Sequence, residues 1–569
     1  MNGSIVFLAL RRLRAPLIYL IVAFAVGIAG LALIPGTDEQ GRRWTMTIFE
    51  AFYFMAYTAS TIGFGEIPRA FNNAQRLWVS VMIFASVFGW TYMVARLLTL
   101  AQDGAFRAAV VAARFRRAVR GLREPFYLVC GFGETGLRVG RALDTLGERF
   151  CVVDVAESRV QEIELMDLAQ DPPAIAADAR LPETLLAAGL ARPNCRGVLA
   201  LTNDDAANLA VAISVRLLNP AVPVLARAMS REAAANMASF HTTHIINPFA
   251  KFGRYLALAI ASPGSYRLLS WLTGLPGTTL RPETSPPRGR WVVCGYGRFG
   301  REVVQAFRGQ GLDVTIIDPR EDAPEGLRSV RGLGTEPEPL LEAGVRESVG
   351  IVAGTDDDIN NLSIAVTARE LNPALFTIVR QNIHANSPLF DAFEADITMV
   401  SSEIVANECL ALINTPLLSR FLGVVQAKDD AWADRVIELL QAAIGEAAPE
   451  IWSVTIDEHD APAIHRTILG GDPAATIGDL VRDPTDRERT LACMTLYLDR
   501  GRDSQPMPDT TTALRAGDRL LLAGRPEARN RQRAILRNHN VSNYCVRGID
   551  VPGGWIWQWL NRRARRRTP

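Results

Sequence analysis

The segment Thr61-Ile62-Gly63-Phe64-Gly65-Glu66 sets two glycines two residues apart, beside a hydroxyl-bearing side chain. Glycine takes left-handed backbone angles at little cost, so Gly63 and Gly65 can turn successive carbonyls toward one axis. A ring of such carbonyls, with the Thr61 hydroxyl, replaces the hydration shell of a cation. Two further glycine-rich loops carry a different chemistry: Gly131-Phe132-Gly133-Glu134-Thr135-Gly136 and Gly295-Tyr296-Gly297-Arg298-Phe299-Gly300. Each follows a strand-like apolar run, Phe126–Cys130 or Trp291–Cys294, and precedes a second such run that ends in an acid, Asp154 or Asp318. In that setting the glycines let backbone amides approach a pyrophosphate at a helix N-terminus. The acid accepts hydrogen bonds from ribose hydroxyls.

The two loops belong to one repeated unit. Cys130 and Cys294, Gly136 and Gly300, and Asp154 and Asp318 are each 164 residues apart. Later landmarks hold a constant offset of 153: Thr202 and Thr355, Asn208 and Asn361, Asn219-Pro220 and Asn372-Pro373, Arg227 and Arg380. A single contraction of 11 residues, between the second strand and the fourth, therefore separates two copies of one α/β fold.

The elements around Thr61–Gly65 read as membrane structure. Leu17–Ile34 is an 18-residue run without a charged side chain and Leu77–Ala95 one of 19. At 1.5 Å per residue the first covers about 27 Å, the thickness of a hydrocarbon core. A cleaved signal peptide is the alternative for the first run, but its length exceeds a typical apolar region and a second span follows. Arg11, Arg12 and Arg14 precede the first span, and Arg107, Arg114, Arg116, Arg117, Arg120 and Arg123 follow the second. Basic flanks stay cytoplasmic, so both termini are expected inside and residues 35–76 outside. Within that outer loop, Trp44–Ser60 is apolar, aromatic and too short to span, which suits a re-entrant helix. Gly89, in the second span, fits either a hinge or a close helix crossing.

Net charge is +1, which gives no global pull toward nucleic acid. The seven cysteines are scattered without a C-x-x-C pair, as reduced thiols packed like small apolar residues are. His241 and His244 lack a third ligand nearby, so loop histidines are expected there rather than zinc. The acidic clusters Asp204-Asp205 and Asp356-Asp357-Asp358 suit loop caps, or a divalent cation such as calcium.

The Thr61–Gly65 segment, set after a pore-helix candidate and between two spans, resembles the selectivity filter of potassium channels. Phe64 and Glu66 stand where tyrosine and aspartate are commonest in that family, and Tyr53 and Phe54 lie near positions often held by bracing tryptophans. The paired loops, with Asp178, Thr202-Asn203-Asp204-Asp205 and Arg227, resemble RCK (regulator of potassium conductance) domains of the TrkA-N type. The resemblance implies potassium held at Thr61, Ile62, Gly63 and Phe64, a homotetramer, and Gly89 as a gating hinge. It also implies a cofactor pocket lined by Asp178, Thr202 and Asn203 besides the glycine loop and Asp154. The second copy has Gly332-Leu333-Gly334 where the first has Ala177-Asp178-Ala179, so NAD is expected in the first pocket ahead of the second.

The expected architecture is an α-helical pore domain (1–100), a basic helical linker (101–124) and a Rossmann-like domain (125–275). A proline-rich linker (276–290) leads to a second Rossmann-like domain (291–410), a small α+β subdomain (411–535) and a basic aromatic tail (536–569) that either meets the anionic leaflet or stays solvated. The function expected is a ligand-gated potassium channel of the cell (inner) membrane, not an enzyme. A membrane-anchored NAD-dependent oxidoreductase and a regulatory subunit of a separate transporter leave the Thr61–Gly65 loop without purpose.

Overall fold

The computed structural model describes residues 2–37, 42–274, 285–320, 326–470 and 474–549. It divides into two compact units, 1–123 and 124–569. Most of the expected linker at 276–290 and the aromatic tail from 550 onward lie outside the described residues.

The first unit is helical. Helix α1 (Asn2–Leu33) packs on α3 (Asn73–Gln102), and the short α2 (Ile48–Ala59) contacts both. Among the described residues, Leu13–Leu33 and Asn73–Gln102 are single helices long and apolar enough to cross a bilayer. Helix α2 starts at Ile48 rather than at Trp44. Thr47 caps it, accepting from Glu50 N at 3.2 Å, while the Glu50 carboxylate accepts from Thr47 N at 2.8 Å. This reciprocal box satisfies two otherwise orphaned amides and fixes the entry to the helix. Leu31, Phe54, Met55, Tyr57 and Met82 form the small core where the three helices meet. Asp103 breaks the chain and caps α4 (Gly104–Gly121), the basic helix.

The second unit begins with a six-stranded parallel sheet of β1 (Phe126–Cys130), β2 (Arg149–Asp154), β3 (Ala174–Ala176), β4 (Cys195–Ala200), β5 (Val224–Arg227) and β6 (His244–Ile246). Its order is β3-β2-β1-β4-β5-β6. The chain then builds β7 (Arg290–Cys294), β8 (Asp313–Asp318), β9 (Arg328–Arg331), β10 (Gly350–Ala353), β11 (Phe376–Gln381) and β12 (Ile397–Val400), in the equivalent order β9-β8-β7-β10-β11-β12. The first strands, β1 and β7, are fully apolar apart from Arg290, because helices cover both faces of the sheet centres, whereas the edge strand β9 is largely exposed. In each sheet the order reverses beside the first strand, which opens a crevice at the carboxyl ends where ligands bind in such folds. The contraction between copies lies between the second and third strands. The first copy carries a helix, Glu157–Glu164, on the way from Asp154 to Ala174, whereas Arg328 follows Asp318 closely.

Each copy lends the other a helix. Helix α8 (Pro248–Ala261), which follows the first sheet, packs on α10 (Arg298–Gly309) of the second, and Phe249, Phe252, Leu256 and Ile260 complete the second core. Helix α13 (Ser401–Asn414), which follows the second sheet, packs on α5 (Glu134–Thr145) of the first, and Val405, Ala406 and Cys409 enter the first core. Arg138 pairs with Glu403 at 3.1 Å across the second of these contacts, and Lys251 pairs with Glu408 at 2.8 Å to join the two lent helices to each other. The antiparallel sheet of β13 (Glu450–Thr455), β14 (Cys493–Asp499), β15 (Gln505–Pro506) and β16 (Arg519–Gly524) forms the small final lobe.

Candidate functional site

Helix α2 ends at Ala59, and the chain turns at once into the filter-like segment. Ile62 N donates to Tyr57 O at 3.0 Å, which folds the segment back on the helix. Thr61, Gly63 and Gly65 have φ of 60°, 68° and 88°, while Ile62 and Phe64 are not left-handed. Residues of positive φ therefore alternate with residues that lack it, the alternation that lets successive carbonyls turn toward one side. A left-handed β-branched residue is strained by roughly 1–2 kcal/mol, and such strain gathers at functional sites. Thr61 carries it here.

The segment is held from two sides. The Tyr57 hydroxyl donates to Gly65 O at 2.6 Å, and its ring meets Phe64 edge-on at 5.4 Å. Glu66 accepts from Arg76 Nε at 2.8 Å and Phe71 N at 2.9 Å, which ties the far end of the segment to the start of α3. Tyr57 and Arg76 escape a reading of the sequence. The one signal for Tyr57 is an aromatic residue one helical turn before Thr61. Gly89 sits in an unbroken helix against α1, where a Cβ would meet Leu20 Cδ2 at 2.7 Å and the Tyr19 ring at 3.0 Å. Close packing of the two spans thus accounts for the glycine.

In the first Rossmann copy the loop from Gly131 to Gly136 joins β1 to α5. Gly131 has φ of +93°, and a Cβ on Gly136 would fall 2.2 Å from Gly131 O, so neither position admits a side chain. Gly133 precedes the helix, leaving its first amides open toward the crevice. Asp154, at the end of β2, accepts from Phe132 N at 2.5 Å and Ala156 N at 2.8 Å, and so orients the loop as well as facing it. Asp178 lies just beyond β3 in a bidentate pair with Arg180, which holds its carboxyl below the usual range.

Thr202 follows β4, and its amide and hydroxyl both donate to Asn208 Oδ1, at 3.0 and 2.8 Å. Asn208 is fully buried and reaches the Thr202 and Arg227 carbonyls, each at 2.9 Å, locking β4 to β5. Arg227 itself is buried. Its Nη1 donates to Asn203 Oδ1 at 2.6 Å and to Thr135 Oγ1, inside the glycine loop, at 3.3 Å. Burial draws its pKa down to about 10, which leaves it charged at neutral pH. Asn208 and Arg227 are visible in the sequence as repeat landmarks, but their place in the pocket wall is not.

The second copy repeats the pattern closely. Asp318 accepts from Tyr296 N at 2.6 Å and Arg320 N at 3.0 Å. Gly295 has φ of +90°, and Gly300 packs on Gly295 O as Gly136 packs on Gly131 O. Gly297, Arg298 and Phe299 complete that loop, with Phe299 buried under α8 at 5.8 Å from the Phe249 ring. Asn361 repeats the latch on Thr355 and the Arg380 carbonyl. One difference matters: Arg380 Nη1 donates to a carboxylate, Asp356 Oδ1, at 2.7 Å.

The acidic clusters are spent on the fold. Asp204 and Asp357 cap helices, Asp205 accepts from Met229 N, and Asp358 accepts from Asn382 N and Ile383 N. Among the described residues no three His, Cys, Asp or Glu side chains converge as a metal site. His244 opens β6 with an exposed side chain, and partial desolvation lowers its pKa.

The ion channel family model matches residues 17–103, and the TrkA-N domain model matches twice, at 127–248 and 291–401. Potassium channel protein 1 of Methanocaldococcus jannaschii is 24% identical over 218 residues, 38% of this chain and 63% of that protein. The voltage-gated potassium channel Kch of Escherichia coli is 24% identical over 208 residues, 36% of this chain and 47% of that one. The chain spans less than two thirds of the length of the curated relatives it matches. Among solved structures, the GsuK channel has a TM-score of 0.46 at 17% identity, covering 93% of this chain and 98% of that one. Residues 17–103 thus carry an ion channel domain and residues 127–248 and 291–401 two TrkA-N domains, which makes the chain a homologue of prokaryotic potassium channels.

Proposed function

We propose that four copies of this chain form a potassium channel whose nucleotide-binding lobes gate the pore. The observation that carries the reading is the alternating backbone of Thr61–Gly65, with left-handed residues at 61, 63 and 65, directly after the re-entrant helix. Carbonyls of Thr61, Ile62, Gly63 and Phe64, with the Thr61 hydroxyl, would take the place of potassium's hydration water. One chain supplies a quarter of the ring. Basic flanks on both spans favour a cell-membrane protein with both termini in the cytoplasm.

In the first TrkA-N domain, Gly131, Gly133 and Gly136 would admit the phosphates of NAD or a related adenine nucleotide to the start of α5, with Glu134 and Thr135 in the same turn. Asp154 would accept the ribose hydroxyls. Thr202 and Asn203 line the opposite wall, and Asp178 flanks the ribose side. Ligand binding gates only by favouring one shape of the nucleotide-binding lobes over another, with the difference conveyed to α3 through residues 96–124. Potassium flux from proteoliposomes holding the purified full-length protein should change as NAD is titrated. Nicotinamide absorbance followed with candidate substrates should stay constant. Substrate-dependent turnover without potassium flux would replace this reading with a membrane-anchored oxidoreductase.

A further inference from the structure

Arg227 and Arg380 occupy the same place in the two TrkA-N domains, at the end of β5 and β11, and both are buried. Each has a carboxylate nearby that is already engaged. Asp205 takes Met229 N at 2.7 Å, and Asp358 takes Asn382 N at 2.6 Å and Ile383 N at 3.0 Å. Arg298 acts on both guanidinium groups and so does not tell them apart.

Arg380 lies over the Phe249 and Phe299 rings, with Phe299 standing where the first copy has Thr135, but the difference in charge lies at the residue 153 positions apart in the two copies, Asn203 and Asp356. Arg227 meets a neutral amide oxygen at 2.6 Å, so its positive charge has no contact ion pair and lies beside Thr135 of the glycine loop. Arg380 meets a carboxylate at 2.7 Å, and that carboxylate side chain is 78% exposed at the pocket mouth. A phosphate entering the first pocket finds a guanidinium that, among the described residues, no carboxylate contacts. In the second it finds that guanidinium paired and a like charge in front of it.

We propose that Asn203 and Asp356 decide which TrkA-N domain takes a phosphate-bearing ligand: the first domain binds it through Arg227, and the second, self-neutralised by Asp356, excludes it. This inference rests on the nucleotide reading above and adds its selectivity. It places the discrimination on charge at one pocket position.

Calorimetry of the full-length protein with ADP and with NAD tests it, using Asn203→Asp and Asn203→Ala side by side. Both variants should keep the wild-type elution volume; Asn203→Asp should also keep the melting behaviour, since the second domain already holds an Arg–Asp pair in the same place, and Asn203→Ala should lower the melting temperature only slightly, since Thr135 still accepts from Arg227. Asn203→Asp should weaken ADP and NAD by about tenfold or more, as loss of one charge-assisted contact does. Asn203→Ala, which leaves Arg227 unpaired, should bind at least severalfold tighter than Asn203→Asp. Equal losses in the two variants, or wild-type affinity in Asn203→Asp, would overturn the charge argument while leaving the nucleotide reading standing. Wild-type protein that binds neither ligand would overturn both.

Discussion

The Tyr57 hydroxyl donates to the Gly65 carbonyl at 2.6 Å, joining the last turn of α2 to the end of the Thr61–Gly65 segment. Phe64 has no hydroxyl, and the brace comes instead from Tyr57, seven residues earlier in the chain. Tyr57→Phe removes one hydrogen bond worth about 1 kcal/mol and leaves the aromatic packing with Phe54 and Phe64. The potassium-to-sodium flux ratio in proteoliposomes should fall about fivefold, with elution volume unchanged. An unaltered ratio would mean that this hydroxyl does not hold the filter.

Among the described residues Asp154 has no basic hydrogen-bond partner, and the amides of Phe132 and Ala156 engage it. It favours a ribose hydroxyl and repels a 2′-phosphate, so the full-length protein should bind NAD in preference to NADP. Asp154→Ala should weaken NAD by about tenfold and narrow the preference. Calorimetry giving equal affinities for the two dinucleotides in the wild type would refute the assignment.

Coupling is expected through α4. Asp103 accepts from Phe106 N at 3.0 Å, so the helix begins directly where α3 ends, and Leu122 closes it. A ten-residue glycine-serine insertion after Gly121 should leave NAD affinity unchanged and flatten the dependence of flux on NAD, because a slack tether conveys no differential stabilisation. Ligand-dependent flux that survives the insertion would place the coupling elsewhere.

Burial raises the thiols of the second unit. Cys130 and Cys493 are pushed up to about 12, Cys195 to about 11, and Cys151, Cys294 and Cys409 well above the ordinary range. A raised thiol pKa keeps the thiolate scarce below it, so at pH 8 these cysteines should resist alkylation until denaturant is added. Mass spectrometry of peptides from native protein should find Cys130 and Cys294 unmodified. Rapid labelling of either would contradict the packing of β1 or β7.

Much of this was legible in residue spacing. The offsets of 164 and 153 located both Rossmann copies and their contraction, because glycines, strand-end acids and asparagine latches are required by backbone geometry and cannot drift. The pore helix was legible from its length, but its start moved to Ile48, since the Thr47–Glu50 box decides the first turn. Hidden in the sequence were contacts made by folding distant segments together. Helices α8 and α13 complete each other's copy, Arg227 reaches Thr135, and Gly89 faces Leu20; no local pattern encodes such pairings. The role of Asn203 opposite Arg227 became visible only when its repeat partner Asp356 was seen paired with Arg380.

The central claim is that Thr61–Gly65 lines a potassium path. Gly63 has φ of +68°, a backbone conformation that a β-carbon disfavours, and among the described residues of one chain nothing lies within 4 Å of where that carbon would stand. Potassium flux from proteoliposomes should be abolished in the Gly63→Ala variant while size-exclusion chromatography shows the same assembly as the wild type. Selective potassium flux at the wild-type rate from Gly63→Ala would contradict the pore assignment.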